Sequence, residues 1–162
     1  MINQEISVRE IKDSDREWQL KLLNEDWGSV NIVSRGKLHN ASVLPGFIAI
    51  QNNKPVGVIT YNIEDTQCEV VTLNSLIEGI GIGSALIKAV KEKSEGANCN
   101  RLWLVTTNDN IAALRYYQKR SFKLAALHRN SIEQSRKLKP QIPELGIDNI
   151  PIRDEIELEM ML

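Results

Sequence analysis

Three glycines alternate in the run Glu78-Gly79-Ile80-Gly81-Ile82-Gly83-Ser84, between a β-branched segment, Cys68 to Leu73, and an amphipathic segment beginning near Ser84. Glycine at a strand-to-helix corner lets backbone approach a ligand closely, and a helix N-terminus adds unpaired N–H donors. That chemistry suits phosphate oxygens, so the run predicts a grip on a phosphorylated cofactor. Two common phosphate loops fail on spacing. G-x-G-x-x-G counted from Gly79 and Gly81 needs a glycine where Ser84 stands, and no Gly-Lys-Ser/Thr follows for a P-loop. Upstream, Glu69 is the only carboxylate in the apolar run. A carboxylate in a partly desolvated cleft is suited to removing a proton, directly or through water. The other reading leaves Glu69 solvated at a strand end. Downstream, Tyr116 and Tyr117 are adjacent on a predicted helix. One helical step turns a side chain by about 100°, so only one of them faces a given site.

The elements that position these residues follow from hydrophobic period and turn chemistry. Ile6, Val8 and Ile11 suggest a first strand, and Ser14-x-x-Glu17 reads as a capping box for a helix through about Asn24 with Trp18 and Leu22 inward. The stretch from Glu25 to Gly46 predicts a short helix or strand plus irregular backbone. Phe47 to Ile50 and Val56 to Ile63 form a hairpin around Gln51-Asn52-Asn53-Lys54-Pro55. Cys68 to Leu73 reads as a central strand. Ser84 to Glu95 is a helix with Leu86, Ile87 and Val90 inward, stopped by Gly96. Arg101 to Thr106 is a strand, Asn110 to Lys119 a helix, and Phe122 to Leu127 a strand. Residues 130 to 154 read as an insertion before a last strand, Glu155 to Leu162, in which acidic and apolar residues alternate.

Composition narrows the class. A chain of 162 residues fits one domain, with 42% hydrophobic and 25% charged residues, and needs neither disulfides nor metal for its core. A net charge of −1 gives no pull toward nucleic acid or anionic membrane. Cys68 and Cys99 lack CxxC spacing, and His39 and His128 lie far from both, so no zinc site or disulfide framework is expected. The N-terminus shows no charged-then-apolar signal region, and no apolar run nears the ~18 residues that span a bilayer. The expectation is a cytoplasmic protein without membrane or nucleic-acid partners.

Two segments together resemble the GNAT superfamily of acyl-CoA-dependent N-acetyltransferases. Glu78-x-x-Gly81-x-Gly83 is similar to its pyrophosphate loop, Arg/Gln-x-x-Gly-x-Gly/Ala. Asn110-Ile-Ala-Ala113-Leu-Arg-Tyr-Tyr117-Gln-Lys119-Arg-Ser121-Phe122 is similar to the downstream signature Asn-x-x-Ala-x-x-x-Tyr-x-x-x-Gly-Phe at every position but one. The resemblance covers about Cys68 to Phe122. It departs at Glu78, which replaces Arg or Gln, and at Ser121, which replaces a glycine that commonly closes a helix in the left-handed conformation. Glu78 implies weaker affinity for CoA or a side chain turned away. Ser121 implies a steric cost to stability.

The resemblance implies an α/β (α+β) fold: a central mixed, mostly antiparallel sheet of six to seven strands, about four helices, and a splayed strand pair at the cofactor site. It implies acetyl-CoA as co-substrate, without metal, held by Val71, Leu73, Glu78, Gly79, Ile80, Gly81, Ile82, Gly83, Ser84, Asn110, Ala113 and Tyr117. The amide of Val71 or Leu73 would polarise the thioester carbonyl, Glu69 would serve as base, and Tyr117 would donate a proton to the sulfur. Asn110 would contact the pantetheine or phosphate region, cap its helix, or do both. The region from Glu25 to Gly46 would overlie the acceptor, making Trp27, Arg35 and His39 candidates for substrate contact; a surface loop with Trp27 plugging the core is the other reading. The function implied is acetyl transfer to a primary amine of a small molecule by direct attack, the alternative being a non-catalytic acyl-CoA sensor. Homodimerisation through the last strand is a further expectation.

Overall fold

The computed structural model describes residues 5–162; the first residues, read above as lacking a signal region, lie outside the described part up to residue 4. The chain runs β1 (Ser7–Glu10), α1 (Arg16–Trp27), β2 (Asn31–Ser34), β3 (Lys37–Asn40), β4 (Gly46–Gln51), β5 (Lys54–Glu64) and β6 (Gln67–Ser75). It continues through α2 (Ile82–Gly96), β7 (Arg101–Thr107), α3 (Ile111–Gln118), β8 (Lys123–His128), α4 (Ser131–Leu138) and β9 (Glu155–Met161). Seven strands form one sheet in the order β1-β4-β5-β6-β7-β9-β8, and β2 with β3 forms a separate hairpin. Among the described residues only β6 and β7 pair in parallel.

Local chemistry explains most of these elements. The β4–β5 turn places Asn52 and Asn53 at φ 54° and 60°, the left-handed pair that matches the twist of a tight hairpin. The helix α2 buries Leu86, Ile87 and Val90 and begins at Ile82, two residues before the expected start. Its face packs with Ile59, Cys68, Leu102 and Leu158 into the main core. A smaller cluster of Leu23, Ile32, Ala41 and Val71 forms a second core. Between Thr60 and Tyr61 the β5–β6 register slips, leaving Val71 as an extra residue in β6. Val70 joins the main core and Val71 the second, as adjacent residues of one strand do when they face opposite sides.

Several expectations are corrected. No Ser14–Glu17 capping box forms; a 3₁₀ turn covers Asp13–Asp15, and the Asp15 carboxylate accepts from the Lys12 backbone N–H at 2.7 Å. Arg9 pairs with the same carboxylate and holds it below its ordinary pKa. The inward residue of α1 beside Leu22 and Leu23 is Gln19, which donates to the Ala41 carbonyl at 3.1 Å, while Trp18 is only half-buried. The stretch 31–40 is a regular hairpin. The last strand is no free edge, since β9 is hydrogen-bonded on both sides; β8 ends the sheet. Among the described residues no helix is long and apolar enough to cross a membrane, and no group of three or more His, Cys, Asp or Glu is placed to hold a metal.

Candidate active site

The parallel pair β6–β7 registers only from Gln67–Arg101 to Glu69–Trp103. Beyond Glu69 the strands part, and the gap opens into a cavity of about 1150 Å³ lined by Val70 to Leu73 on one side and Leu104 to Thr106 on the other. This is the splayed pair that the family resemblance implies. The Leu76 N–H donates to the Val56 carbonyl on β5 at 2.8 Å. Strand alternation then directs the amide of Leu73 away from β5, toward the open edge. A ladder partner is missing there, so the cleft holds a backbone donor that a ligand carbonyl can satisfy.

The corner after β6 builds the other end of the cavity. Gly79 and Gly81 take φ 78° and 87°, a region that strains other residues, and Gly81 is the N-cap of α2. The first amides of α2 therefore face the cleft without intrahelical acceptors. At Gly83 a side chain is excluded by packing: a methyl group there would coincide with the Tyr116 hydroxyl. Glu78, Gly79, Gly81, Ile82 and Gly83 line the cavity, while Ile80 is exposed outside it and Ser84 accepts from Arg120 Nε at 3.1 Å.

Across the cleft, α3 begins at Asn110, whose side chain accepts from the Ala113 N–H at 3.1 Å; it is both a helix cap and a cavity residue. Tyr116 and Tyr117 both line the cavity, with rings 5.2 Å apart at 86°. Tyr116 lies against the glycine corner under Arg120, whose guanidinium sits 3.4 Å from its ring centroid. Tyr117 packs edge-on to Phe122 at 5.6 Å and joins the main core. Burial raises both phenols, most strongly Tyr117. Each stays a protonated donor at neutral pH. Arg115, Lys119 and Arg120 also line the cavity and form no ion pair among the described residues. Sequence reasoning missed these three cations. Their signal was available, because 115 and 119 share a helix face that leads from the Asn110 cap.

The remaining candidates separate. Trp27, at the end of α1, lines the cavity and is 42% exposed, so it does not plug the core. Arg35 is bound elsewhere: its backbone N–H and Nη1 reach the Glu155 carboxylate at 3.1 and 3.2 Å. His39 is buried, with Nε2 3.4 Å from Glu69 Oε2. Glu69 itself is buried at the root of the gap, outside the cavity lining, and its Oε1 accepts from the Ser34 hydroxyl. Burial pushes the Cys68 thiol up to about 11, so no thiolate nucleophile is available there.

Comparison with known proteins agrees with this geometry. The acetyltransferase (GNAT) family matches residues 8–122. YdhI of Bacillus subtilis (strain 168), an uncharacterized protein, is 43% identical over 131 residues, covering 80% of this chain and 82% of that one. Among solved structures, an IAA acetyltransferase from Bacillus cereus ATCC 14579 superposes with TM-score 0.73 at 21% identity, over 98% of this chain and 100% of that one. A GNAT family acetyltransferase from Elizabethkingia anophelis, with acetyl-CoA bound, superposes with TM-score 0.71 at 19% identity, over 97% and 98%. With a sheet that splays beside a glycine corner and a family match over most of its length, the chain belongs to the acetyltransferase (GNAT) family.

Proposed function

We propose that the chain transfers an acetyl group from acetyl-CoA to a primary amine of a small molecule, the amine attacking the thioester directly in a ternary complex. The observation that carries this reading is the parting of β6 from β7 beside the glycine corner, which puts an unpaired Leu73 amide and Tyr117 around one cavity. Acetyl-CoA bound to the Elizabethkingia anophelis structure supports the choice of cofactor.

The roles follow from placement. The Leu73 N–H donates to the thioester oxygen as negative charge gathers on it, worth about 3 kcal/mol for a donor of this kind. Amides at the start of α2 take the pyrophosphate, and Arg115, Lys119 and Arg120 supply the positive charge that Glu78 does not. Tyr117 donates a hydrogen bond to the sulfur as the C–S bond breaks. Its raised pKa favours hydrogen-bond donation over full transfer, since a thiolate is less basic than a buried tyrosinate. Glu69 takes the amine proton through water, because its carboxylate stands behind the cavity wall rather than in it. The apolar Trp27 and Ile77 in the cavity lining support a small acceptor over a basic protein tail.

The test is calorimetric titration with acetyl-CoA, using ATP and NAD as controls, followed by measurement of free CoA thiol against a panel of primary amines. Saturable binding to acetyl-CoA alone and thiol release with an amine is the expected result. Binding without release from any amine makes the chain an acyl-CoA sensor, and no binding removes the cofactor assignment.

A further inference from the structure

We propose that Ser34 and His39 are positioning residues: the β2–β3 hairpin carries them onto Glu69 and holds its carboxylate ready to accept a proton. The inference rests on Glu69 being the base. Ser34, His39 and Glu69 are each 4% exposed. Ser34 lies on β2 and His39 on β3, so the two strands of a hairpin outside the main sheet converge on one residue of β6. Ser34 donates its hydroxyl to Oε1, and His39 Nε2 faces Oε2 at 3.4 Å.

The charges around this cluster are partitioned. Arg35 is bonded to Glu155 on β9, and Lys37 to Glu64 on β5 at 2.9 Å. Among the described residues, no lysine or arginine of the hairpin pairs with Glu69. A guanidinium on Glu69 would fix it as an anion and weaken its basicity. The Ser34 hydroxyl fixes its orientation without neutralising it, and the His39 ring stands beside the other carboxylate oxygen. His39 Nε2 is buried without a hydrogen-bond partner, which is costly unless something arrives to use it. In the Nδ1–H tautomer its lone pair faces the carboxyl. During turnover an N–H bond of the acceptor ammonium breaks, water passes the proton on, and an O–H bond forms on Glu69. Nε2 then accepts a hydrogen bond from that carboxyl. No covalent bond to the protein forms, and the proton returns to solvent after acetyl transfer.

Two acceptors separate positioning from folding. Benzylamine is protonated at neutral pH and needs a base, whereas hydroxylamine is already unprotonated. Free CoA release is measured for the full chain and for His39→Gln, Ser34→Ala and Glu69→Gln, with melting curves as a check on folding. The expected result is a fall in kcat with benzylamine of about tenfold for His39→Gln and roughly threefold for Ser34→Ala, with KM for acetyl-CoA unchanged. With hydroxylamine the same variants stay within about twofold of wild type. Equal losses with both amines, or no loss with either, overturn the positioning role while leaving the transferase reading intact. If His39→Gln melts early, Ser34→Ala decides the question by the same ratio of rates. A Glu69→Gln variant as fast as wild type with benzylamine removes the base and this proposal together. No CoA release from wild type with either of these amines or with any amine of the panel overturns the transferase reading and the proposal with it.

Discussion

The two sides of the cleft are built by different means. On the cofactor side the working groups lie within residues 70–120 and are largely backbone: a strand edge, a glycine corner, and the first amides of α2. On the proposed acceptor side the contacts join side chains brought from far apart, with Ser34 meeting Glu69 across 35 residues and, behind them, Arg35 meeting Glu155 across 120. Backbone geometry serves a cofactor whose phosphates and amides are always the same. Long-range side-chain contacts can change without disturbing that grip, so the acceptor side is where specificity can vary.

The strongest way to break this comparison is at Gly83. A methyl there meets the Tyr116 hydroxyl, so Gly83→Ala is expected to weaken acetyl-CoA binding about tenfold, or ~1.4 kcal/mol, by calorimetry. Adding Tyr116→Phe removes the clashing oxygen but leaves the ring Cζ at 2.9 Å, so it is expected to restore part of the loss, a coupling that a double-mutant cycle reads directly. Full affinity in Gly83→Ala alone would mean that close packing at the corner is not what shapes the cofactor side.

Tyr117→Phe is expected to lower kcat at least about tenfold while the Kd for acetyl-CoA stays within roughly twofold. Unchanged turnover removes Tyr117 from the mechanism. The same residue makes a pH prediction. Burial raises the phenols of Tyr61, Tyr116 and Tyr117. Their contribution to stability is therefore complete below the unfolded tyrosine pKa of about 10 and falls as pH rises beyond it, because the unfolded phenols ionise first. Urea unfolding at pH 8 and pH 11 is expected to show that loss, and Tyr117→Phe to show less of it.

On the acceptor side, Arg35→Ala leaves the buried Glu155 carboxylate without its cation and is expected to destabilise the fold by roughly 2 kcal/mol in urea. Acetyl-CoA affinity should not change. Pairing it with Glu155→Gln should recover part of the loss, since a neutral amide is cheaper to bury. A large fall in cofactor affinity would join the two sides that the comparison separates.

What could be read in advance divides along the same line. The Gly79, Gly81 and Gly83 spacing, the Asn110 cap and the β-branched apolar run from Cys68 to Leu73 are local signals, and each gave its element to within a few residues. The hairpin β2–β3 was obscured because its inward face carries Ser34 and His39, polar residues whose burial only makes sense once Glu69 is beside them. The entry to α1 was misread for a related reason: Asp15 is recruited by Arg9 on β1, a tertiary contact that outweighs the local box at Ser14. Arg35 looked like a substrate cation in sequence, and its partner lies on the last strand.

Ser121 is the one place where the cofactor-side pattern is breached at the backbone. It takes φ 72°, and the Phe122 N–H donates to the Tyr117 carbonyl at 3.1 Å, so the turn closes α3 as a glycine would. Phe122, next in the chain, is buried against Tyr117, which explains why the strained conformation persists: relaxing it would pull that ring from the core. A β-carbon in this region costs on the order of 1 kcal/mol, partly offset because serine leaves the unfolded chain less freedom than glycine does. Ser121→Gly is therefore expected to stabilise the fold by about 0.5–1 kcal/mol in urea, with kcat and acetyl-CoA affinity unchanged. If it raises kcat as well, the strain reaches Tyr117 through Phe122, and the serine tunes the tyrosine proposed as proton donor rather than merely straining the helix end.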